Sequence, residues 1–231
     1  MKASMDKASM VDVDQDQSGA VTQCPALVWD QPQGICHATL ILAHGAGAPM
    51  DSDFMQQISQ LLMARGIAVV RFEFAYMAAR RIDGKRRPPN PQKQLLEQWR
   101  SVYAAVRQQT KGIVAMGGKS MGGRMASIVG DEFAADALVC LGYPFYAAGK
   151  PEKPRTAHLE SLQVRTLIVQ GERDALGNRQ TVSDYSLSSA ISLKWLAAAD
   201  HDLKPLKSSG FSHSQHLESA ANEISAFLTA K

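Results

Sequence analysis

Cysteine is scarce in this sequence. Three cysteines, Cys24, Cys36 and Cys140, occur among 231 residues, and they form no CxxC pair. Because three thiols cannot all pair within one chain, this count argues against a disulfide framework and favours a reducing cytoplasm. Cys140 lies in the apolar run ALVCLGY, so we expect a buried side chain there rather than a reactive thiol.

Long apolar stretches and a strong charge of one sign are also missing. The first twenty residues contain no apolar stretch of the length that a signal peptide needs, and no run approaches the roughly 20 apolar residues of a membrane span. The net charge of +3 is much weaker than the concentrated positive charge of a dedicated nucleic-acid binder. We therefore expect a soluble, cytoplasmic protein that binds neither membranes nor nucleic acids.

The order of apolar runs along the chain predicts the fold class. After a polar opening that predicts a flexible tail over residues 1–22, short apolar runs alternate with segments of helical period. This alternation is typical of a parallel sheet with helices on both faces. No repeat or linker interrupts it, so we predict a single α/β domain over residues 23–231. The predicted strands are residues 38–44, 67–74, 112–116, 137–142, 166–171 and 192–197, with residues 25–30 as an antiparallel edge.

The stretch MGGKSMGGRMAS, residues 116–127, allows two chemistries. A phosphate-binding loop requires a glycine five places before Gly118, but Ile113 stands there, so that pattern fails. The pattern G-x-S-x-G is met by residues 118–122, directly after an apolar strand and before a helix-like segment. At such a strand-to-helix turn, small residues on either side make room for a strained serine. The motif therefore predicts Ser120 as a nucleophile.

A serine nucleophile requires a histidine base and a carboxylate that orients the base. Ligands of open parallel sheets bind beyond the carboxyl ends of the strands, so the residues that follow each strand are the candidates. Asp174 follows one strand, with Glu172 as a competitor, and His201 follows the last strand. They complete the chain order serine, acid, histidine. Other polar residues near these positions receive structural or solvent-facing roles: His44, His158, His213, His216, Asp200 and Asp202.

An acyl-transfer site also requires amide donors for the oxyanion. Met121 follows the nucleophile and supplies the first amide. The loop AHGAGAPMDS supplies the second, and Ala46 is the candidate because Gly45 and Gly47 let the backbone come close. His44 is an alternative base, but a histidine before glycine at this strand end is better explained as a residue that holds the oxyanion loop.

Two groups of residues are candidates for substrate binding. The basic stretch RRIDGKRRPPNP is best explained as a solvated loop, but Arg86 and Arg87 could instead bind an anionic ester. Tyr143 and Phe145 line the pocket in one interpretation and pack in the core in another. The segment between Gly142 and Leu167 is too short for a large cap domain.

Several stretches together resemble a known family: LAHGAGAPMDS, RRIDGKRRPPNP, GGKSMGGRMAS, LGYPF, GKPEKPRTAHL, QGERDALG and ADHDLKP. From about His37 to Phe227, the chain resembles the α/β-hydrolase-like proteins grouped with testis-expressed protein thirty and the third subunit of the NSL chromatin complex. These proteins are distantly similar to dienelactone hydrolases. The resemblance implies the α/β-hydrolase fold and assigns the catalytic and oxyanion roles to the same residues: Ser120, Asp174, His201, Ala46 and Met121. The chain has Lys119 and Ala75 where the family often has arginine and proline.

The combined prediction is a serine hydrolase that cleaves a small carboxylic ester through an acyl-enzyme, without a metal or a cofactor. The alternative is a scaffold of the same fold that retains the triad but seldom uses it. In that case the basic loop or the polar tail would bind a protein partner.

Overall fold

The computed structural model describes residues 24–230, so the predicted tail lies outside the described residues. Nine strands occur in this part of the chain: β1 (Leu27–Asp30), β2 (Ala38–Ala43), β3 (Ile67–Phe72), β4 (Val114–Lys119), β5 (Ala137–Leu141), β6 (Tyr146–Ala147), β7 (Lys150–Pro154), β8 (Thr166–Gly171) and β9 (Ile191–Leu196). The described helices are α1 (Asp53–Met63), α2 (Ala75–Asp83), α3 (Gln92–Gln109), α4 (Met121–Val129), α5 (Arg179–Val182) and α6 (His213–Thr229). None of the helices in residues 24–230 combines the length and apolar character needed to cross a bilayer.

Seven strands form one sheet in the order β1-β3-β2-β4-β5-β8-β9. β1 pairs with β3 in the antiparallel sense, and the other six strands are parallel. The predicted fold class is therefore confirmed. The segment between β5 and β8 holds only the hairpin of β6 and β7 and one turn of 3₁₀ helix, so no large cap covers the sheet.

Helices cover both faces of this sheet because each helix has one apolar stripe to bury. On one face, Trp99 and Val102 of α3 pack with Met125 of α4. On the other face, Ile58 of α1 and Ile224 of α6 pack against the opposite side chains of the same strands. The central strands are buried on both sides, which explains why they are continuous apolar runs in the sequence.

β4 ends three residues later than the sequence predicts. The prediction ended this strand at Met116, but β4 continues through two glycines to Lys119. The glycines belong to the ladder because the neighbouring strands come close: a Cβ on Gly117 would lie 2.1 Å from the carbonyl oxygen of Val139. Gly117 and Gly118 therefore act as sheet residues, and the turn begins only at Ser120.

The basic stretch is not a continuous loop, contrary to the sequence prediction. Arg80 and Arg81 form the last turn of α2, which ends at Gly84 in the left-handed conformation with φ of 71°. Glycine at this helix end adopts a positive φ without a Cβ clash. Arg81 turns back to Asp51 and Glu73, so part of the positive charge is neutralised at the loop that follows β2.

Candidate active site

Ser120 occupies a sharp turn between β4 and α4. Its backbone has φ of 51° and ψ of −116°, a conformation that L-residues rarely adopt. A Cβ on Gly118 would lie 2.5 Å from the carbonyl oxygen of Ala43, and one on Gly122 would lie 2.6 Å from the same oxygen. Both glycines are therefore required for β2 to pass so close to the turn. The result is a serine side chain that stands above the carboxyl end of the sheet.

A chain of hydrogen bonds connects Ser120 with two distant residues. His201 Nε2 lies 2.9 Å from Ser120 Oγ, and His201 Nδ1 lies 2.7 Å from Asp174 Oδ2. The three residues follow β4, β9 and β8, whose carboxyl ends meet at one edge of the sheet. The acid, the imidazole and the hydroxyl therefore form one continuous chain of hydrogen bonds.

The carboxylate of Asp174 is fully buried and held by further donors. The backbone N–H of Leu176 donates to Oδ1 at 2.7 Å, and Gln170 Nε2 donates to Oδ2 at 2.8 Å. Sequence reasoning missed Gln170, although its position at the end of β8 is a signal of the kind that identified Asp174. The competitor Glu172 binds elsewhere, because its carboxylate accepts from the Ala198 N–H and pairs with Arg179.

His44 has both ring nitrogens occupied by the backbone. The N–H of Phe74 donates to Nε2 at 3.1 Å, so the proton is on Nδ1, which donates to the carbonyl of Gly45 at 2.7 Å. Burial lowers the pKa of His44, which favours this neutral form. His44 therefore holds the loop after β2 and is not placed to act as a base on Ser120.

Tyr76 holds the same loop from α2, and sequence reasoning did not identify it. Its hydroxyl lies 3.0 Å from the carbonyl oxygen of Ala46 and 3.3 Å from that of Gly45. In a trans peptide the C=O and N–H groups point in opposite directions. Because the Gly45 carbonyl is directed towards Tyr76 and His44, the N–H of Ala46 faces the other way. Ala46 lines the same cavity as Ser120.

A cavity of about 410 Å³ lies directly above Ser120. Its walls come from the loop after β2, the start of α1 and the loops that carry the acid and the histidine. Lys119, His201 and Asp202 are the ionisable residues among those lining it. The lining residues are Gly45, Ala46, Gly47, Ala48, Ser52, Phe54, Met55, Lys119, Ser120, Leu176, His201 and Asp202.

Comparison with known proteins identifies the family. The family described as "Alpha/beta hydrolase domain" matches residues 36–229. The chain belongs to this family. No curated protein matches the sequence of this α/β hydrolase closely enough to count as a relative.

Solved structures of the same fold include several hydrolases. A serine hydrolase without a lid from Xanthomonas campestris superposes with a TM-score of 0.63 at 19% identity, covering 86% of this chain and 88% of its own. A serine hydrolase homologue from Coxiella burnetii gives 0.65 at 18% identity, covering 96% and 98%. A dienelactone hydrolase from Anabaena variabilis gives 0.64 at 19% identity, covering 87% and 89%. At these identities the likeness shows a shared fold.

The four candidate substrate-binding residues do not line the cavity of this α/β hydrolase. Tyr143 and Phe145 are fully buried and pack against each other with ring centroids 4.8 Å apart, so they belong to the core. Arg86 and Arg87 are absent from the cavity lining, and Arg87 pairs with Asp83, four residues earlier at the end of α2. Arg86 and Arg87 follow the end of α2, and sequence position alone could not show that they lie outside the cavity lining.

His158 and His216 are held by hydrogen bonds within the structure. Ser127 Oγ donates to a helix carbonyl, so it accepts from His158 Nε2 at 2.8 Å. Burial, together with Arg124, lowers the pKa of His158 to about 4. His216 lies in the first turn of α6 but is buried, and its Nδ1 lies 3.1 Å from the carbonyl oxygen of Leu203.

The two acids beside the proposed base differ in their contacts. Asp200 accepts from the backbone N–H groups of Asp202 and Lys204, as predicted for a residue that caps the loop. Asp202 instead pairs with Lys119, with 3.2 Å between Oδ1 and Nζ. Burial raises the pKa of Asp202 while the ammonium of Lys119 lowers it, and the net shift is downward.

Proposed function

We propose that this α/β hydrolase is a serine hydrolase that cleaves small carboxylic esters through an acyl-enzyme. The observation that carries the proposal is the continuous hydrogen-bonded path from Ser120 through His201 to Asp174. The serine hydrolases of the same fold support this assignment. They leave the residue roles and the substrate as proposals for this chain.

In the proposed reaction, His201 Nε2 accepts the hydroxyl proton of Ser120 as Oγ attacks the ester carbonyl carbon. Asp174 accepts the hydrogen bond from Nδ1 and stabilises the imidazolium that forms. The carbonyl oxygen becomes negatively charged and binds the N–H groups of Ala46 and Met121. Met121 is the first residue of α4, where backbone N–H groups have no partner within the helix.

The tetrahedral intermediate collapses when the C–O bond to the leaving group breaks. His201 donates its proton to the departing oxygen, which leaves as an alcohol, and the acyl group stays on Ser120. Water then enters, His201 accepts one of its protons, and the hydroxide attacks the acyl carbon. Return of the proton to Oγ releases the carboxylic acid and restores the enzyme.

The cavity favours substrates without a charge near the scissile bond. Lys119 is already paired with Asp202, and the arginines considered as anion-binding residues lie outside the lining. Phe54, Met55 and Leu176 provide an apolar wall, and the volume of about 410 Å³ suits a small ligand. We therefore propose neutral esters with short acyl chains in place of anionic esters.

An ester panel tests the charge preference. Matched short-chain esters with and without a terminal carboxylate would be compared by kcat/KM, with Arg86→Ala included in the same assay. Faster cleavage of the neutral ester, unaffected by the arginine substitution, supports the proposal. Faster cleavage of the carboxylated ester that is lost in Arg86→Ala would restore the anionic hypothesis.

The scaffold alternative has no comparable support from an observed contact. A closer kinship with the testis-expressed protein thirty group, a protein partner and a cytoplasmic location all stay predictions. A stoichiometric partner recovered with the full chain, together with no labelling by an activity probe, would favour the scaffold.

Labelling with a fluorophosphonate probe tests the enzyme directly. Ser120→Ala should abolish labelling and reduce ester turnover by roughly 10⁴-fold or more. Ser127→Ala is the matched control, because Ser127 is likewise hydrogen-bonded to a histidine nitrogen, at 2.8 Å, but is a buried residue of α4. Its labelling should match that of the wild type. Labelling that survives Ser120→Ala would refute the assignment of the nucleophile.

A further inference from the structure

Lys119 is a buried cation that the proposed reaction does not use. It is the last residue of β4, directly before Ser120, and it is 7% exposed. Burial lowers the pKa of its ammonium, and the charge of Asp202 opposes that shift. A charge buried to this extent is stable only when partners replace its lost hydration. The partners of the Lys119 ammonium therefore indicate which part of the structure it stabilises.

Both hydrogen-bonding partners of Lys119 lie on the segment that carries the proposed base. Nζ donates to the backbone carbonyl of His201 at 2.8 Å and lies 3.2 Å from Oδ1 of Asp202. The first contact spans 82 positions of the sequence and joins the end of β4 to the turn after β9. The ring of Phe54 covers the ammonium, with 5.6 Å between Nζ and the ring centroid.

The proposed reaction requires an anchor for His201 that does not depend on its imidazole. Nε2 must release Ser120 when it takes the proton and donates it to the leaving group, so that 2.9 Å contact breaks in every cycle. The contact between Nδ1 and Asp174 orients the ring but leaves the backbone unconstrained. The bond from Lys119 reaches the backbone carbonyl, so it persists whichever proton the ring carries.

The turn around His201 is tight, and it depends on contacts of this kind. Leu203 has a positive φ of 60°, and the Asp200 N–H bonds to the carbonyl of Lys204 at 2.9 Å. Gly142 lies beside this turn, where an added Cβ would lie 2.7 Å from the His201 carbonyl oxygen and 3.3 Å from Lys119 Nζ. The carbonyl oxygen is thus packed against both Gly142 and the ammonium of Lys119.

We propose that Lys119 is a positioning residue that holds the His201 backbone against the end of β4, which keeps Nε2 within hydrogen-bond reach of Ser120 throughout turnover. The inference rests on the proposed serine hydrolase function. A displacement of about 1 Å in a catalytic group can reduce the rate by up to about 100-fold. Lys119→Met, which keeps most of the side-chain length but removes every donor, should therefore lower kcat and the rate of fluorophosphonate labelling roughly 10- to 100-fold.

Three further variants separate positioning from other roles. Lys119→Arg retains a cation with several donors and should recover most of the lost rate. Asp202→Asn leaves the bond to the His201 carbonyl intact, so its loss should be smaller than that of Lys119→Met. Lys194→Met is the matched control, since Lys194 is a partly exposed residue of β9 that pairs with Glu223 of α6. KM should stay within about twofold of the wild type in every case.

The outcomes distinguish this inference from the proposed function. Three outcomes would each overturn the positioning role: Lys119→Met has the wild-type kcat, Lys119→Met changes only KM, or Lys119→Arg is as slow as Lys119→Met. Ser120→Ala is measured alongside, and its loss of labelling leaves the hydrolase assignment intact in those cases. Thermal unfolding checks each variant, and Lys119→Leu, which also lacks a donor and is judged by the same kcat criterion, replaces Lys119→Met if that variant does not fold.

Discussion

Removing a single oxygen from Tyr76 should slow catalysis without weakening substrate binding. The hydroxyl is 3.0 Å from the Ala46 carbonyl and 3.3 Å from the Gly45 carbonyl, and it has one proton to donate. Burial raises the pKa of Tyr76 well above its usual range, so the group remains a protonated donor at neutral pH. Tyr76→Phe removes this donor and keeps the ring in its buried site.

The expected loss of kcat in Tyr76→Phe depends on the hydrogen bonds that still hold the loop after β2. A neutral hydrogen bond contributes about 0.5–1.5 kcal/mol, which corresponds to roughly 2- to 12-fold in rate if the whole contribution is lost in the transition state. Complete loss of an oxyanion donor costs about 100- to 1,000-fold and sets the upper limit. His44 still holds the Gly45 carbonyl in the variant, so we expect a loss of about 10-fold in kcat.

Two assays measure the loss of rate in Tyr76→Phe: steady-state kinetics on a neutral ester and the rate of fluorophosphonate labelling. Both rates should fall in parallel, while KM stays within about twofold, because the oxyanion interaction strengthens only as charge develops. Tyr185→Phe is the control, since it removes an exposed hydroxyl that donates to the carbonyl of Pro151. An unchanged kcat in Tyr76→Phe, or a change confined to KM, would refute the argument that Tyr76 orients the Ala46 amide.

Two further predictions concern stability. The pKa of His158 falls from 6.5 to about 4 through burial and Arg124, so the neutral ring stabilises the fold. That stability is complete above pH 6.5 and is lost as the pH falls towards 4. After allowance for partial exposure, the free energy of unfolding should drop by about 1–2 kcal/mol more in the wild type than in His158→Gln over this range. Urea titrations at several pH values measure this free energy, and an equal drop in the two proteins would contradict the prediction. Gly122→Ala should destabilise the protein by about 1–3 kcal/mol, because its Cβ would clash with the Ala43 carbonyl. Gly47→Ala is the control and should cost little stability, since no atom lies within 4 Å of its added Cβ. Similar urea midpoints for the two variants would exclude the clash.

Much of the fold was predictable because its determinants are local or periodic. Buried parallel strands are continuous apolar runs, and helices show their stripe every three to four residues, so the order of elements follows from the pattern. The bounds of β4 and the presence of α2 were not predicted. Gly117 and Gly118 suggest a turn when the close approach of the neighbouring strands is not known. The helix α2 was missed because its apolar stripe is short and is followed by arginines.

The sequence by itself determined the alternation of strands and helices and the strand–Ser120–helix turn with its glycines. It also determined the chain order of Ser120, Asp174 and His201, at positions that a parallel sheet brings to one edge. Only the tertiary structure decided that Tyr143 is core rather than cavity, and that Lys119 contacts a backbone carbonyl 82 residues away. The reason is physical: periodicity shows which face of an element is buried, whereas partners across the sheet depend on how loops fold in three dimensions.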